Sequence, residues 1–312
     1  MRAFLFPGQG SQAVGMGAAL ADASRTARDV FDEVDEALGQ NLFRLMREGP
    51  EEELKLTENA QPAIMAHSLA VFRALTKDGG VEAGKSVNFV AGHSLGEYSA
   101  LCAAGSFNIV TTAKLLRIRG QAMQQAVPVG EGAMAALLGA DLAIAEKIAA
   151  AAAKGEVCTV ANDNDPSQVV ISGSSGAIDR AIEIARDMGA KRAVLLPVSA
   201  PFHCPLMQPA AAVMAEALGS VDIRRPAVPL YANVTAEPTS DPDTIRNQLV
   251  EQVTGMVRWR ESIAAMADAG VDEFVEIGGK VLAAMVKRIA PQARITTVLS
   301  MEDIEALARE IA

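Results

Sequence analysis

Aromatic side chains make up only 4% of this 312-residue chain, with a single Trp, and there are just three histidines and three cysteines. The apolar half of the sequence is therefore aliphatic, a composition that suits helix-rich α/β packing better than an all-β sandwich. Cys102, Cys158 and Cys204 stand at unrelated spacings, which make neither a disulfide framework nor a zinc site. Basic charge is short too. With 28 Lys and Arg against 38 Asp and Glu, the net charge of −10 argues against nucleic acid as a main partner. The pairs "KR" (191–192), "RR" (224–225) and "KR" (287–288) break that trend and read as solvated surface. No apolar run reaches membrane-spanning length, since even the alanine-rich stretch 142–153 carries Glu146 and Lys147. "MRAFLFPGQG" turns to Pro and Gly after six residues, too early for a signal-peptide core. The expectation is a soluble, cytoplasmic chain with no membrane or nucleic-acid partner. It is long enough for one large core and a smaller satellite.

Hydrophobic periodicity places "RAFLF" (2–6) and "VNFVAG" (87–92) as short buried strands, each ending at Pro or Gly. A helix is expected from Pro62, a favoured first helical position. Others are expected over "LGEYSALCAAG", closed by Gly105, and over "IVTTAKLLRIRGQAMQQAV". From residue 131 the rhythm changes to strand, helix, strand, a turn at "DNDP", strand, helix, strand, ending near 198. That β-α-β-β-α-β order is the ferredoxin-like pattern. It reads as a subdomain (131–198) inserted into a larger α/β domain formed by 1–130 and 199–312. "AVPLYAN" (227–233), "EFVEIG" (273–278) and "ITTVLS" (295–300) supply further strands to the larger domain.

Chemistry concentrates at Gly92-His93-Ser94-Leu95-Gly96, which matches G-x-S-x-G between a strand and a helix. The two glycines allow a turn sharp enough to expose Ser94, and the helix start offers free N–H groups, first that of Leu95. A serine needs a base. His67 lies on the apolar stripe of its helix, and His93 adjoins Ser94 on a tight turn and points away. His203, in "PVSAPFHCPLM", sits on a proline-bracketed loop beyond a strand end and is the candidate base. Asp163, Asp165 and Asp187 all fall in the inserted unit as turn or surface residues, so no triad acid is evident, and a Ser–His dyad whose imidazole a backbone carbonyl orients would do without one. "FPGQGSQA" fits G-x-G-x-x-A, but the acidic residue a dinucleotide site needs would fall at Asp29 or Asp32, inside a helix. The stretch is better read as bringing the Gln9 amide to Ser94 as a second oxyanion donor. Of Arg117 and Arg119, at most one can face a pocket, and a buried arginine without a carboxylate partner would imply an anionic ligand.

"FPGQGSQ", "TENAQPA" (57–63), "GHSLGEYSAL", "RIRGQAMQ" with "GAMAALLG", "VSAPFHC" and "EIGGKVL" follow one another in this order. With that set the chain resembles, over nearly its whole length, the malonyl-CoA:acyl carrier protein transacylases and the acyltransferase domains of polyketide synthases. The resemblance implies an α/β-hydrolase-like domain with an inserted ferredoxin-like subdomain. It implies Ser94 as acylated nucleophile and His203 as base, oriented by the backbone carbonyl of Gln252. It further implies Gln9 and Leu95 as oxyanion amides and Arg119, not Arg117, as the ligand of the malonyl carboxylate. Phe202 would crowd an α-methyl group and Asn162 would line the pocket. Malonyl-CoA would be the substrate and acyl carrier protein a transient partner of a monomer with no bound cofactor. Met256 stands where many members have proline, and "EIGGKVL" is one residue shorter than the usual form. The rival readings are a serine hydrolase or thioesterase, a polyketide-pathway acyltransferase, and a binding module without catalysis.

Overall fold

The structure is a computed structural model that describes residues 1–311. Among the described residues ten strands form two sheets. The strands are β1 (Arg2–Phe6), β2 (Phe89–Gly92), β3 (Gly132–Leu138), β4 (Cys158–Asp165), β5 (Gln168–Ser174), β6 (Arg192–Leu195), β7 (Leu230–Tyr231), β8 (Pro238–Thr239), β9 (Glu273–Ile277) and β10 (Arg294–Val298). The larger sheet runs β10-β9-β1-β2-β7-β8 and is parallel except for the short edge pair β7–β8. Its central strands are apolar on both faces, as a parallel sheet covered by helices requires. β1 pairs with β2 so that Phe6 lies opposite Gly92. The loops that leave these two strands, Pro7-Gly8-Gln9 and His93-Ser94, therefore start side by side.

The smaller sheet is antiparallel, in the order β4-β5-β3-β6, with helices Leu142–Ala153 and Ser175–Ile184 connecting its strands. Strand alternation divides its two faces. Ala135 and Leu137 of β3, with Val169 and Ile171 of β5, pack with Ile148 and Ile178 of those helices. Met134, Ala136 and Val170 point the other way and join the main core. The small sheet thus has a core of its own and a second face fixed to the large sheet's domain.

Three details differ from expectation. The helix expected to open at Pro62 starts at Thr57, with Pro62 buried one turn inside it. Leu56 C=O accepts from the amides of Asn59 and Ala60, and the Asn59 side chain donates to Glu53 C=O, so the first turn is held without the proline. The turn expected at "DNDP" is carried mostly by strand, because β4 runs through Asp165 with two register shifts. Asp163 and Asp165, read as turn or surface residues, are fully buried and paired with Arg260 and Arg288, which reach them from the large sheet's domain. Among the described residues no helix is long and apolar enough to cross a membrane, and all three cysteines are free.

Candidate active site

The strand-turn-helix at Ser94 leaves no room for side chains at its glycines. A Cβ on Gly92 would lie 2.0 Å from the backbone of Gly96, and one on Gly96 2.3 Å from Phe6 C=O. Gly8 is held as closely, its Cβ position 2.6 Å from His93 C=O, which brings the Gln9 loop against the turn. Ser94 takes a left-handed conformation, φ 53°, as does His203, φ 57°. Such backbone is costly for residues with a Cβ and concentrates where a site needs a side chain aimed.

Ser94 Oγ lies 2.8 Å from His203 Nε2, and His203 Nδ1 lies 2.8 Å from the backbone carbonyl of Gln252. A carbonyl can only accept, so Nδ1 carries the proton and Nε2 presents its lone pair to the serine hydroxyl. Burial, aided by the nearby Arg119 cation, pushes the imidazole down to about 3, so the His203 ring is neutral near pH 7. The carbonyl of Gln252 stands where a triad would have its acid, with Met256 in the following turn.

Arg119 is almost wholly buried on the helix Ile109–Gln125. Its Nη1 donates to Gln61 Oε1 at 2.8 Å, and its Nη2 to Gln252 Oε1 at 2.8 Å and Ser94 Oγ at 3.1 Å. Its Nε has no partner, and no carboxylate lies within ion-pair distance of it among the described residues. Tyr98 lies beneath it, ring centroid 5.8 Å from the guanidinium carbon. Arg117, two residues earlier, turns away to Asn59 (2.9 Å) and Gln40 and ties its helix to a neighbouring one.

A cavity of about 470 Å³ opens at this point. Ser94, His203, Arg119, Phe202 and Asn162 line it, as do Gln9 and Leu95. Neither the Gln9 nor the Leu95 amide donates to an acceptor among the described residues, so both are free for a ligand oxygen. Gln252, itself fully buried, stands behind the cavity rather than in it. Its side chain reaches Arg119 and its carbonyl reaches His203, which joins the cation to the base. His93 lines the cavity, but its Nε2 bonds Asn164 Oδ1 at 2.8 Å and its ring packs edge-on to Trp259. His67 is a core histidine against Gly278 C=O, pushed by burial down to about 4. Residues 7–17, where a dinucleotide fingerprint would need a helix start, form loop and turns.

Three further residues escaped the sequence reading. Asn233, fully buried in the turn after β7, accepts from the Ser94 amide at 2.8 Å and donates to Gly92 C=O at 2.7 Å, which braces both sides of the Ser94 turn. Gln61 holds one edge of Arg119 and lies in the quoted "TENAQPA". Glu97, on the first turn after Ser94, is buried against Gln252, and burial pushes its carboxyl up to about 8. Gln61 and Glu97 fall in motif stretches, whereas Asn233 falls only at the end of "AVPLYAN", read as a strand. Nothing local marks Asn233, whose partners are some 140 residues away in the chain.

The family model described as acyl transferase domain matches residues 3–302. The chain is 44% identical over 305 residues to the malonyl CoA-acyl carrier protein transacylase of Bacillus subtilis, covering 97% of this chain and 95% of that protein. Its structure is similar to the acyl-carrier-protein-S-malonyltransferase of Bartonella henselae, with a TM-score of 0.97, 53% identity and 99% of each chain covered. It is also similar, with a TM-score of 0.95 and 38% identity over 99% of both chains, to a malonyl-transacylase solved in complex with a type II polyketide synthase acyl-carrier protein.

Proposed function

The chain belongs to the acyl transferase family, and from that premise we infer that it carries a malonyl group from malonyl-CoA to the phosphopantetheine thiol of acyl carrier protein, through a malonyl ester on Ser94. Malonyl transfer to that carrier supplies fatty acid synthesis. In the first half-reaction Ser94 Oγ attacks the thioester carbon while His203 Nε2 takes the hydroxyl proton. The developing oxyanion is met by the amides of Gln9 and Leu95. The C–S bond breaks and His203 returns its proton to the CoA sulfur. The carrier thiol then enters, gives its proton to His203, attacks the ester carbon and takes the malonyl group, and Ser94 recovers the proton. Donor and product are both thioesters, so the exchange runs in either direction.

Arg119 is the observation that carries this reading. It is a buried cation whose partners are two amide oxygens and the serine hydroxyl, with its charge left for an anion in the cavity. The free carboxylate of a malonyl group bound to Ser94 fits that charge. Acetyl-CoA would leave it unanswered. Phe202, beside His203 and lining the cavity, would crowd an α-methyl substituent, and Asn162 lines the cavity too.

The finer fold reading is an α/β-hydrolase-like domain (1–130 and 199–312) carrying an inserted ferredoxin-like subdomain (131–198). The β-α-β-β-α-β succession and the order β4-β5-β3-β6 support it. We take the protein to work as a cytoplasmic monomer with no bound cofactor, since the chemistry above asks for none. The likeness to a transacylase solved with a polyketide carrier supports a carrier of that kind as an alternative recipient.

Intact-protein mass spectrometry tests the mechanism. Malonyl-CoA should add one malonyl group to the wild type and none to Ser94→Ala, and holo carrier protein should discharge the adduct faster than water does. An adduct that water removes as fast marks a hydrolase. No adduct at all removes Ser94 from the role given to it.

A further inference from the structure

Glu97 is the buried ionisable group of the motif that the mechanism above leaves idle. It sits one turn beyond Ser94 on the helix Gly96–Ala103, 1% exposed. Its Oε2 faces only donors, Gln252 Nε2 at 2.5 Å and the Asn233 amide at 3.4 Å, and its Oε1 has no partner. Gln252 Nε2 is in turn ringed by acceptors, with Ser94 C=O at 3.0 Å and Asn233 Oδ1 at 3.3 Å besides Glu97. On its other side the same amide turns Oε1 to Arg119 Nη2 at 2.8 Å.

An amide is nearly symmetric in shape, so its orientation is decided by its neighbours. Turned over, Gln252 would aim an NH₂ at a guanidinium and a carbonyl oxygen at three acceptors. Glu97 is the strongest of those acceptors. A carboxylate touching Arg119 directly would occupy the edge that an anionic ligand needs. Standing one amide away, it polarises and aims the arginine's partner while leaving the guanidinium's charge unclaimed. If the carboxyl carries a proton on Oε1, Oε2 remains an acceptor, so the constraint holds in both protonation states.

We propose that Glu97 is a positioning residue for substrate selection: by fixing the Gln252 amide it holds Arg119 in the orientation that accepts the substrate's free carboxylate. The proposal rests on the malonyl reading of the site. It concerns the choice between malonyl and acetyl donors, not the acyl-transfer step.

The test compares kcat/KM for malonyl-CoA and acetyl-CoA in Glu97→Met, which fills the space without an acceptor, and in Glu97→Gln, which can still turn an oxygen to Gln252. Labelling of Ser94 by phenylmethylsulfonyl fluoride reports the nucleophile independently of either donor. Glu97→Met should lower the malonyl-to-acetyl ratio about tenfold or more, the worth of one hydrogen bond to a charged group, with Ser94 still labelled. Glu97→Gln should restore the ratio to within about threefold of wild type. Should Glu97→Met fail to fold, Glu97→Asp carries the test, because its acceptor retreats by one methylene and the ratio should fall at least about threefold. A ratio in Glu97→Met, or in Glu97→Asp, that stays at the wild-type value overturns the proposal, whatever happens to thermal stability. A wild type that accepts no malonyl group would instead defeat the functional reading beneath it.

Discussion

At the end of β4, Asp163 and Asp165 are fully buried, and each meets the Nε–Nη2 edge of a guanidinium. Arg260 reaches Asp163 at 2.8 Å and Arg288 reaches Asp165 at 2.7 Å, both arginines keeping part of their surface in water. Behind Ser94 the arrangement is reversed. Arg119 is the buried partner, its contacts are neutral oxygens, and the nearest carboxylate, Glu97, is held off by the width of one amide. The first arrangement completes its charge within the protein and is structural: it ties the hairpin bearing Asn162 and Asn164 to the large sheet's domain. The second leaves its charge incomplete, and an incomplete buried charge is a request for a ligand.

The largest effect should follow from removing the incomplete charge. Arg119→Met should cut the preference for malonyl-CoA over acetyl-CoA by about 3–5 kcal/mol, a factor of about a hundred to a few thousand, while acetyl transfer survives. Parallel kcat/KM measurements with the two donors check this, and equal losses would refute the assignment. Removing a completed charge should read out in stability instead. Arg260→Ala leaves Asp163 buried and unpaired and should cost about 2–3 kcal/mol in urea unfolding, below the range for fully buried pairs because Arg260 is itself about a third exposed. Arg288, more exposed, should cost less, about 1–2 kcal/mol.

Asn233→Ala should cost about 1–2 kcal/mol of stability by leaving the Ser94 amide and Gly92 carbonyl unmet, and should slow loading by malonyl and acetyl donors alike. A change confined to one donor would move Asn233 from bracing the turn to selecting the substrate.

The smallest effect concerns pH. A general base works only when unprotonated, and burial and the Arg119 cation push His203 down to about 3 from an ordinary 6.5. Lowering the pKa extends the neutral form to lower pH. The acid limb of kcat/KM should therefore lie well below 6, with the rate nearly flat between about pH 8 and 5. A half-maximal point near 6.5 would mean that His203 is hydrated and that the charge beside it is not felt.

The unequal legibility of the two regions in the sequence has the same origin. The turn at Ser94 could be read because its requirements are local: a strand end, two glycines with no space for a Cβ, and a helix start. His203 and Arg119 could be singled out because loop position and neighbouring motifs narrowed the choice. Glu97 and Asn233 stayed silent, since their work depends on partners 155 and 139 residues away. "DNDP" misled for the same reason. Its composition is that of a turn, but pairing with Arg260 and Arg288 holds it in β4 and buries both carboxylates, and tertiary contact outweighed local preference. In the helix Thr57–Lys77, Pro62 looked like a beginning because proline favours the first turn, but the five residues before it were held helical by Leu56 and Glu53.

The central claim, that one buried charge is complete and the other waits for substrate, is tested most directly by crossing two measurements on two variants. Arg119→Met and Arg260→Ala would each be unfolded in urea and assayed with malonyl-CoA and acetyl-CoA. The account predicts that Arg119→Met loses donor preference with stability within about 1 kcal/mol of wild type, because removing a buried cation that no carboxylate pairs offsets the cost of leaving the Gln61 and Gln252 oxygens unmet. Arg260→Ala should lose stability and keep the preference. If Arg119→Met unfolds as readily as Arg260→Ala and still prefers malonyl-CoA, Arg119 is a structural residue and the account fails.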